Sequence, residues 1–269
     1  MRTVGEMLRH WRHRRRLSQL DLAIAADVSA RHVSLVETGK SNPSADMILR
    51  LADQLDIPLR ERNRLLLAAG FAPRYAERPL TGDALATAGD AIARVLRAHE
   101  PYPAVVLDRR WNIVMANRAI DAFLVDVAPD LLRPPINILR LGLEGRGLAP
   151  RIVNLPEVRA VLRARISRQL AVAPDAELHA IYEELLAPGP EEQPARGFEE
   201  PGRSIGSEVT VAMIFRFGDV ELRLFSTTTT FGTPMDITLD EISIESYYPA
   251  DAETAAYFTK FGADVLAGE

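Results

Sequence analysis

Arginines near the N-terminus supply the clearest chemistry in this sequence of 269 residues. Residues 1–75 contain 13 Lys and Arg against 8 Asp and Glu, a net charge of +5, whereas residues 76–269 contain 19 against 29, a net charge of −10. Clustered cationic side chains bind phosphates, which dominate the affinity of proteins for nucleic acids. Arg14, Arg15 and Arg16 form an unbroken basic run. Such a run is either a solvated helix face or a phosphate contact, and the neighbouring elements favour phosphate contact.

These elements lie in residues 18–41, whose pattern predicts two short crossing helices, a helix-turn-helix. Apolar or small residues fall on the two faces that should meet, namely Leu20, Leu22 and Ala23 on the first helix and Val33 and Val36 on the second. Asp27 suits the turn because Asp tolerates the left-handed backbone region. Ser29 is expected to cap the second helix. The apolar pattern continues with Ile48, Leu51 and Leu55 and then over 59–69, which predicts five helices in all.

The segments LSQLDLA (17–23) and HVSLVETGKSNPS (32–44) resemble the phage-repressor and xenobiotic-response-element family of helix-turn-helix regulators. The resemblance covers roughly residues 3–70, and it departs from the family where Asp27 stands at a position that is usually Gly. An ordinary helical hairpin is the alternative. A simple hairpin would not explain why Ser-Gln begins the first helix, Glu-Thr-Gly ends the second and Asn-Pro-Ser precedes the next one.

The resemblance implies binding to double-stranded DNA. It places Gln19 against a phosphate, and it places base contacts at the start and along the outward face of the second helix. Arg31 is the strongest candidate for a base contact, since its guanidinium matches the O6 and N7 edge of guanine. His32 is either a base contact or a solvated residue. The full set implied to contact DNA is Gln19, Ser29, Ala30, Arg31, His32, Ser34, Leu35, Lys40, Ser41 and Asn42.

The same resemblance implies a buried ion pair between Arg12, on the first helix of the domain, and Glu37, which ends the recognition helix. Such a pair would fix the angle of the recognition helix. We therefore expect loss of Arg12 to loosen the domain as well as to weaken DNA binding.

The second part of the chain shows a different organisation. A connector helix is predicted over 84–99, with Leu85, Ile92, Val95 and Leu96 facing inward. Two strands surround Arg109-Arg110-Trp111, and helices follow over 155–170 and 174–187. After an acidic loop over 188–204, alternating apolar residues predict a hairpin at Gly218-Asp219 and a third strand from about 237 to 247, bent near Asp240-Glu241.

This order of predicted strands and helices resembles that of a PAS-like sensor domain, in which a five-stranded sheet curls around a cavity. Residues 102–119 and 225–251 also resemble the ligand-binding domain of MmyB-like transcription regulators. The fold class is therefore α+β, and the predicted boundaries are a helix-turn-helix domain at 1–72, a linker and connector helix at 73–100, and a PAS-like domain at 101–269. The resemblance implies a homodimer whose sensor holds a long apolar ligand such as a fatty acid.

Large apolar residues of the second domain could either line such a cavity or fill an ordinary core. The candidates are Leu107, Trp111, Ile113, Met115, Phe123, Val211, Met213, Phe215, Leu222, Leu224 and Ile244. A carboxylate ligand would also need a cationic partner at the cavity mouth. Arg140, Arg151 and Arg223 are the candidates for that partner.

Several function classes are not expected. The chain has no cysteine, which excludes disulfides and thiolate metal sites. It also lacks phosphate-binding loop, zinc-protease and nucleophile-elbow motifs, and a triad built from Ser204 and His179 would arise by chance. We expect no catalysis, no metal, no cofactor, no membrane span and a cytoplasmic location.

The sequence therefore predicts a transcription regulator that binds a palindromic operator and responds to a small apolar effector. The predicted lever between the two functions is the helix over 84–99. The alternative is a constitutive dimeric repressor whose second domain only dimerises.

Overall fold

The computed structural model describes residues 2–187 and 212–267, with side chains described up to residue 260. The predicted acidic loop over 188–204 and the residues Val209 and Val211 lie outside these ranges. The chain forms two compact units, and the first consists of Met1–Ala86 together with Phe231–Glu241. The predicted five helices are confirmed as α1 (Val4–Arg14), α2 (Gln19–Ala25), α3 (Ala30–Glu37), α4 (Ala45–Gln54) and α5 (Leu59–Ala68).

Short polar side chains start the first four helices by accepting hydrogen bonds from otherwise unpaired backbone N–H groups. Thr3 and Ser18 form capping boxes with Glu6 and Asp21. The predicted cap of α3 is confirmed, because the Ser29 hydroxyl accepts from the His32 backbone N–H at 3.1 Å. Helix α5 differs, since it follows Pro58 and has no side-chain cap of its own.

The core of the first unit lies where helices α1 to α5 converge. Residues predicted to face inward are buried, among them Leu22, Ala23, Val33, Val36, Ile48, Leu51 and Leu55. Leu20 was wrongly predicted to face inward, and it is 58% exposed. Leu20 lies two residues before Leu22, and in a helix residues two positions apart do not share a face. Asp27 adopts the expected left-handed conformation, with φ of 53°.

Helices α1 and α3 approach very closely at Gly5. A Cβ atom at this position would lie 2.3 Å from the carbonyl oxygen of Val36. No side chain fits there without a shift of the backbone, so Gly5 sets the spacing between α1 and α3.

The segment Phe231–Glu241 belongs to the first unit although it lies far along the chain. Asp240 accepts a hydrogen bond from the Leu59 backbone N–H at 3.0 Å and thereby caps α5. Glu241 receives two hydrogen bonds from Arg60, at 2.6 and 2.8 Å, and Arg60 also pairs with Glu77. The hydrogen bonds to Glu241 and Glu77 raise the pKa of the Arg60 guanidinium above its usual value. Leu59, which begins α5, and Asp240, which caps it, are thus 181 residues apart in the sequence.

The second unit comprises Thr87–Thr230 and Ile242–Glu269. Its helices are α6 (Ala86–Ala98), which begins at the boundary, α7 (Asp121–Leu124), α8 (Ile138–Leu143), α9 (Leu155–Val172), α10 (Ala176–Leu185) and α12 (Ala252–Ala267). Its strands are β1 (Ala104–Leu107), β2 (Ile113–Ala116), β3 (Met213–Phe217), β4 (Val220–Thr229) and β5 (Ser243–Pro249). They form one antiparallel sheet in the order β2-β1-β5-β4-β3, which confirms the predicted α+β class.

Two local predictions in this part of the chain are wrong. Val95 was expected to face inward from α6, but it is 47% exposed, whereas Ile92 and Leu96 are buried. The third strand was expected to begin near Ile237, where the chain instead forms a short helix, α11 (Ile237–Glu241). The Asp236 carboxylate starts this helix by accepting a hydrogen bond from the Thr238 backbone N–H at 2.9 Å.

Candidate functional site

The outer face of α3 carries the side chains that were predicted to contact bases. Arg31 is exposed, and in the described ranges it makes no hydrogen bond or ion pair, so its guanidinium is available to a ligand. Ser34 and Leu35 are half-buried beside it. The Nε2 atom of His32 is buried and has no hydrogen-bond partner among the described residues. A buried, unpaired ring nitrogen is costly, and because this nitrogen has no access to the surface, a contact between it and DNA requires the ring to turn outward.

Arg12 and Glu37 form the ion pair that the sequence predicted. Arg12 Nε donates to one carboxylate oxygen at 2.7 Å, and its terminal nitrogen donates to the other at 2.8 Å. Arg12 is 7% exposed and Glu37 is 6% exposed. Burial alone would raise the pKa of Glu37, but hydrogen bonds from Arg12 and Gln19 outweigh it and lower that pKa below its usual value. This pair ties α1 to the end of α3.

Gln19 lies in this network as well. Its amide donates to Glu37 at 2.9 Å, although the sequence predicted that this amide reaches a phosphate. The amide carries a second N–H and a carbonyl oxygen, so the phosphate contact stays a prediction.

The loop after α3 presents the other residues predicted to contact phosphates. Gly39 turns the chain with φ of 70°, and the backbone N–H of Lys40 then donates to the Leu35 carbonyl at 2.8 Å. Lys40 and Asn42 are exposed, and Ser41 is half-buried.

The basic run at the end of α1 divides into different roles. Arg15 donates to the carbonyl oxygens of Leu55 and Asp56 at 2.7 and 2.8 Å, where it stabilises the end of α4. Arg14 stacks over the Trp11 ring at 4.9 Å, and Arg16 is exposed. Only some of the charge in this run is therefore available for phosphates.

The second unit contains a partly open apolar cavity of about 150 Å³ between the sheet and helices α8 and α9. Cavities of about this size lined by Leu, Ile and Phe can hold a small apolar molecule. Five of the predicted wall residues line it, namely Trp111, Phe123, Met213, Phe215 and Leu224. Helix α8, which the sequence analysis did not predict, and helix α9, which it predicted over 155–170, supply much of the remaining wall, with Ile138, Leu139, Leu141, Gly142, Leu143, Val158, Val161 and Leu162.

Other predicted wall residues are placed differently. Leu107, Leu222 and Ile244 are buried, and Ile113 packs partly buried against the apolar core, but none of the four is among the residues that line the cavity. Met115 is half-buried and also outside the lining.

The three arginines that were proposed as carboxylate partners also lie outside the described lining. Arg140 pairs with Glu184 and Glu144, which raise its pKa. Arg151 pairs with Asp126 at 3.2 Å, and Arg223 lies 3.5 Å from a carboxylate oxygen of Glu221. The arginine that does line the cavity is Arg165, from the middle of α9.

Arg165 belongs to a polar patch that sequence reasoning missed. It donates to Glu245 at 2.7 Å and to the Thr228 hydroxyl at 3.2 Å, and its guanidinium stacks over the Trp111 ring at 4.4 Å. Ser226 donates to the same oxygen of Glu245 at 3.1 Å. Residues two apart in a strand share a face, so Glu245 points the same way as Tyr247 and the opposite way to Ile244, which the sequence analysis had placed in the cavity wall.

No group of three or more His, Cys, Asp or Glu side chains in the described ranges could hold a metal ion. Among the helices described, none combines the length and apolar character needed to cross a membrane.

Comparisons with known proteins give two family matches. Residues 3–65 match a model described as a helix-turn-helix domain, and residues 88–260 match one described as the MmyB-like transcription regulator ligand binding domain. One solved structure that matches is the restriction-modification controller protein C.AhdI from Aeromonas hydrophila, with 41% identity over 22% of this chain and 89% of that chain, and a TM-score of 0.21. The comparison with curated proteins gives no match.

Proposed function

Because the chain belongs to the MmyB-like transcription regulators and carries a helix-turn-helix domain, we propose that it binds an operator as a homodimer under the control of a small apolar effector. The observation that carries the proposal is the apolar cavity inside the domain that matches the family's ligand-binding model. The effector has a fatty-acid-like chain, because the walls are built from aliphatic and aromatic side chains. The protein acts in the cytoplasm as a regulator rather than as an enzyme.

DNA recognition relies on α3. Arg31 reads a guanine in the major groove, Lys40 and Asn42 contact backbone phosphates, and the pair of Arg12 with Glu37 holds the helix at its angle. A homodimer presents two such helices, so the operator is a palindrome whose half-sites lie about 10–10.5 base pairs apart or a multiple of that.

Occupancy of the cavity must favour one conformation of the protein to change DNA binding. Strands β4 and β5 supply Leu224, Ser226, Glu245 and Tyr247 to the cavity lining. The chain that joins these strands is the segment Phe231–Glu241, which packs in the first unit through Asp240 and Glu241. We propose this segment, together with the predicted lever α6, as the connection through which occupancy reaches the DNA-binding helices.

Native mass spectrometry of freshly purified protein, followed by denaturation and solvent extraction, tests the effector. An excess mass that extraction identifies as an apolar molecule, and that changes operator affinity when added back, supports the proposal. If a series of apolar molecules neither binds the protein nor changes operator affinity, the effector proposal is wrong and the constitutive dimeric repressor replaces it.

The connection is tested with Glu241→Gln, which weakens the contact with Arg60. We expect ligand affinity to stay unchanged while the effect of ligand on operator affinity is reduced. Arg64→Gln is the matched control, because Arg64 lies on the same helix and pairs with its neighbour Glu61. An unaltered ligand effect in the Glu241 variant would contradict the assigned connection.

A further inference from the structure

The polar patch of the cavity is electrically balanced. Arg165 supplies one positive charge, and Glu245, which is only 4% exposed, supplies one negative charge at 2.7 Å. The arginine is also held in place by the Trp111 ring and the Thr228 hydroxyl. Its charge is therefore already matched inside the protein, and a ligand does not need to bring a second anion.

Glu245 has hydrogen-bonding capacity left over. Arg165 and Ser226 both donate to its Oε1 atom, and no donor from the described part of the chain reaches its Oε2 atom. A carboxylate oxygen that lines an apolar cavity without a donor is costly, and a ligand that donates a hydrogen bond would remove that cost.

Tyr247 lines the cavity beside Glu245, and its hydroxyl makes no hydrogen bond to any residue in the described ranges. Burial and the nearby Glu245 carboxylate raise the pKa of this hydroxyl well above its usual value. A tyrosine hydroxyl carries its proton at neutral pH, so Tyr247 can donate to an oxygen of the ligand. The patch thus offers both an acceptor and a donor to an uncharged polar group.

An ionised carboxylate fits this patch poorly. The Arg165 side chain is 33% exposed, but from within the cavity an ionised carboxylate that approaches it also approaches the buried carboxylate of Glu245, and two like charges that share a site repel. An apolar chain that ends in a hydroxyl or a primary amide meets no such repulsion.

We propose that the cavity selects an apolar molecule with an uncharged, hydrogen-bond-donating end over the matching ionised acid, and that Glu245 is the residue that sets this preference. This inference rests on the proposed function, in which the cavity holds the effector. The proposed function specifies only the apolar part of the ligand, and this inference specifies the chemistry of its end group.

Isothermal titration calorimetry of the full chain at pH 7.5, with alcohols, primary amides and acids of matched chain lengths, tests the preference. We expect the alcohol and the amide to bind at least about tenfold more tightly than the acid. A close like charge shifts the pKa of a carboxyl group by about one unit or more, and one unit corresponds to a tenfold change in an equilibrium constant. Equal or tighter binding of the acid would overturn this inference while leaving the proposed function intact. No binding by any of the three classes would overturn both.

The variant Glu245→Gln removes the negative charge and keeps the size of the side chain. We expect its affinity for the acid to rise by about tenfold or more, with a much smaller change for the alcohol. Glu221→Gln is the control, because Glu221 lies on β4 outside the cavity lining. If the folded Glu245 variant still rejects the acid as the parent does, Glu245 does not set the preference; if the variant does not fold, the comparison of ligands on the parent protein decides the question.

Discussion

Replacement of Arg12 by Ala should destabilise the first unit strongly. The substitution removes two hydrogen bonds to Glu37, at 2.7 and 2.8 Å, and one to the Leu17 carbonyl at 2.8 Å. It also leaves the carboxylate of Glu37, which is 6% exposed, with Gln19 as its one donor among the described residues. The loss of one partner from a buried pair costs about 3–5 kcal/mol, and we expect a loss in that range here.

Urea unfolding followed by tryptophan fluorescence measures this loss. The chain has two tryptophans, so a Trp111→Phe background leaves Trp11 as the reporter of the first unit. Joint replacement of Arg12 by Met and Glu37 by Leu should recover much of the stability, because it removes both charges together. An exposed ion pair contributes at most about 1 kcal/mol. If Arg12→Ala lowers the free energy of unfolding by less than that, the Arg12–Glu37 pair does not stabilise the first unit as a buried pair should.

The effect of this substitution should depend on pH. The folded-state pKa of Glu37 is lowered, so its stabilisation is present above the unfolded pKa of about 4.3 and is lost as the pH falls through the folded value. The difference in the free energy of unfolding between parent and variant should therefore be larger at pH 7 than under acidic conditions. An equal difference at both pH values would show that the pair contributes through packing alone.

Arg31→Ala should cost about 1–3 kcal/mol and relax specificity at one position per half-site, measured by fluorescence anisotropy on operators with single base changes; an unchanged ranking of those operators would contradict the assignment. Gly5→Ala should lower the midpoint of unfolding, whereas Gly232→Ala, where a Cβ meets no atom within 4 Å, should not. Gly142→Leu should fill the cavity and abolish ligand binding in calorimetry, and Gly145→Leu should leave it unchanged; ligand binding that survives in the Gly142 variant would place the ligand elsewhere.

Much of the fold was predictable because local rules govern it. The capping of α3 by Ser29, the turn at Asp27 and the hairpin at Gly218 each depend on a few neighbouring residues. The pair of Arg12 with Glu37 was also predicted, since the family resemblance places both residues. Helix α11 was mistaken for a strand because the capping role of Asp236 decides the local structure more strongly than the short apolar pattern does.

The cavity was harder to predict because its wall comes from distant parts of the chain. Periodicity identified Phe215 and Leu224 as inward residues, but it could not separate the cavity lining from Leu222, which is buried in the core. Arg165 occurs in a helix rich in arginines, and only the three-dimensional structure brings it to Glu245, 80 residues away. The neighbours of Arg165 in the sequence do not indicate a contact with Glu245, and those of Glu245 do not indicate one with Arg165.

The borrowed cap of α5 has a consequence for exchanging parts between regulators. A chimera that transfers residues 1–86 alone onto another sensor would carry Arg60 without Glu241 and would leave the start of α5 without Asp240. Loss of a helix cap costs about 0.5–2 kcal/mol, before the loss of the ion pair is added. The DNA-binding unit is therefore not a contiguous cassette, and a working graft has to bring the eleven residues of Phe231–Glu241 with it.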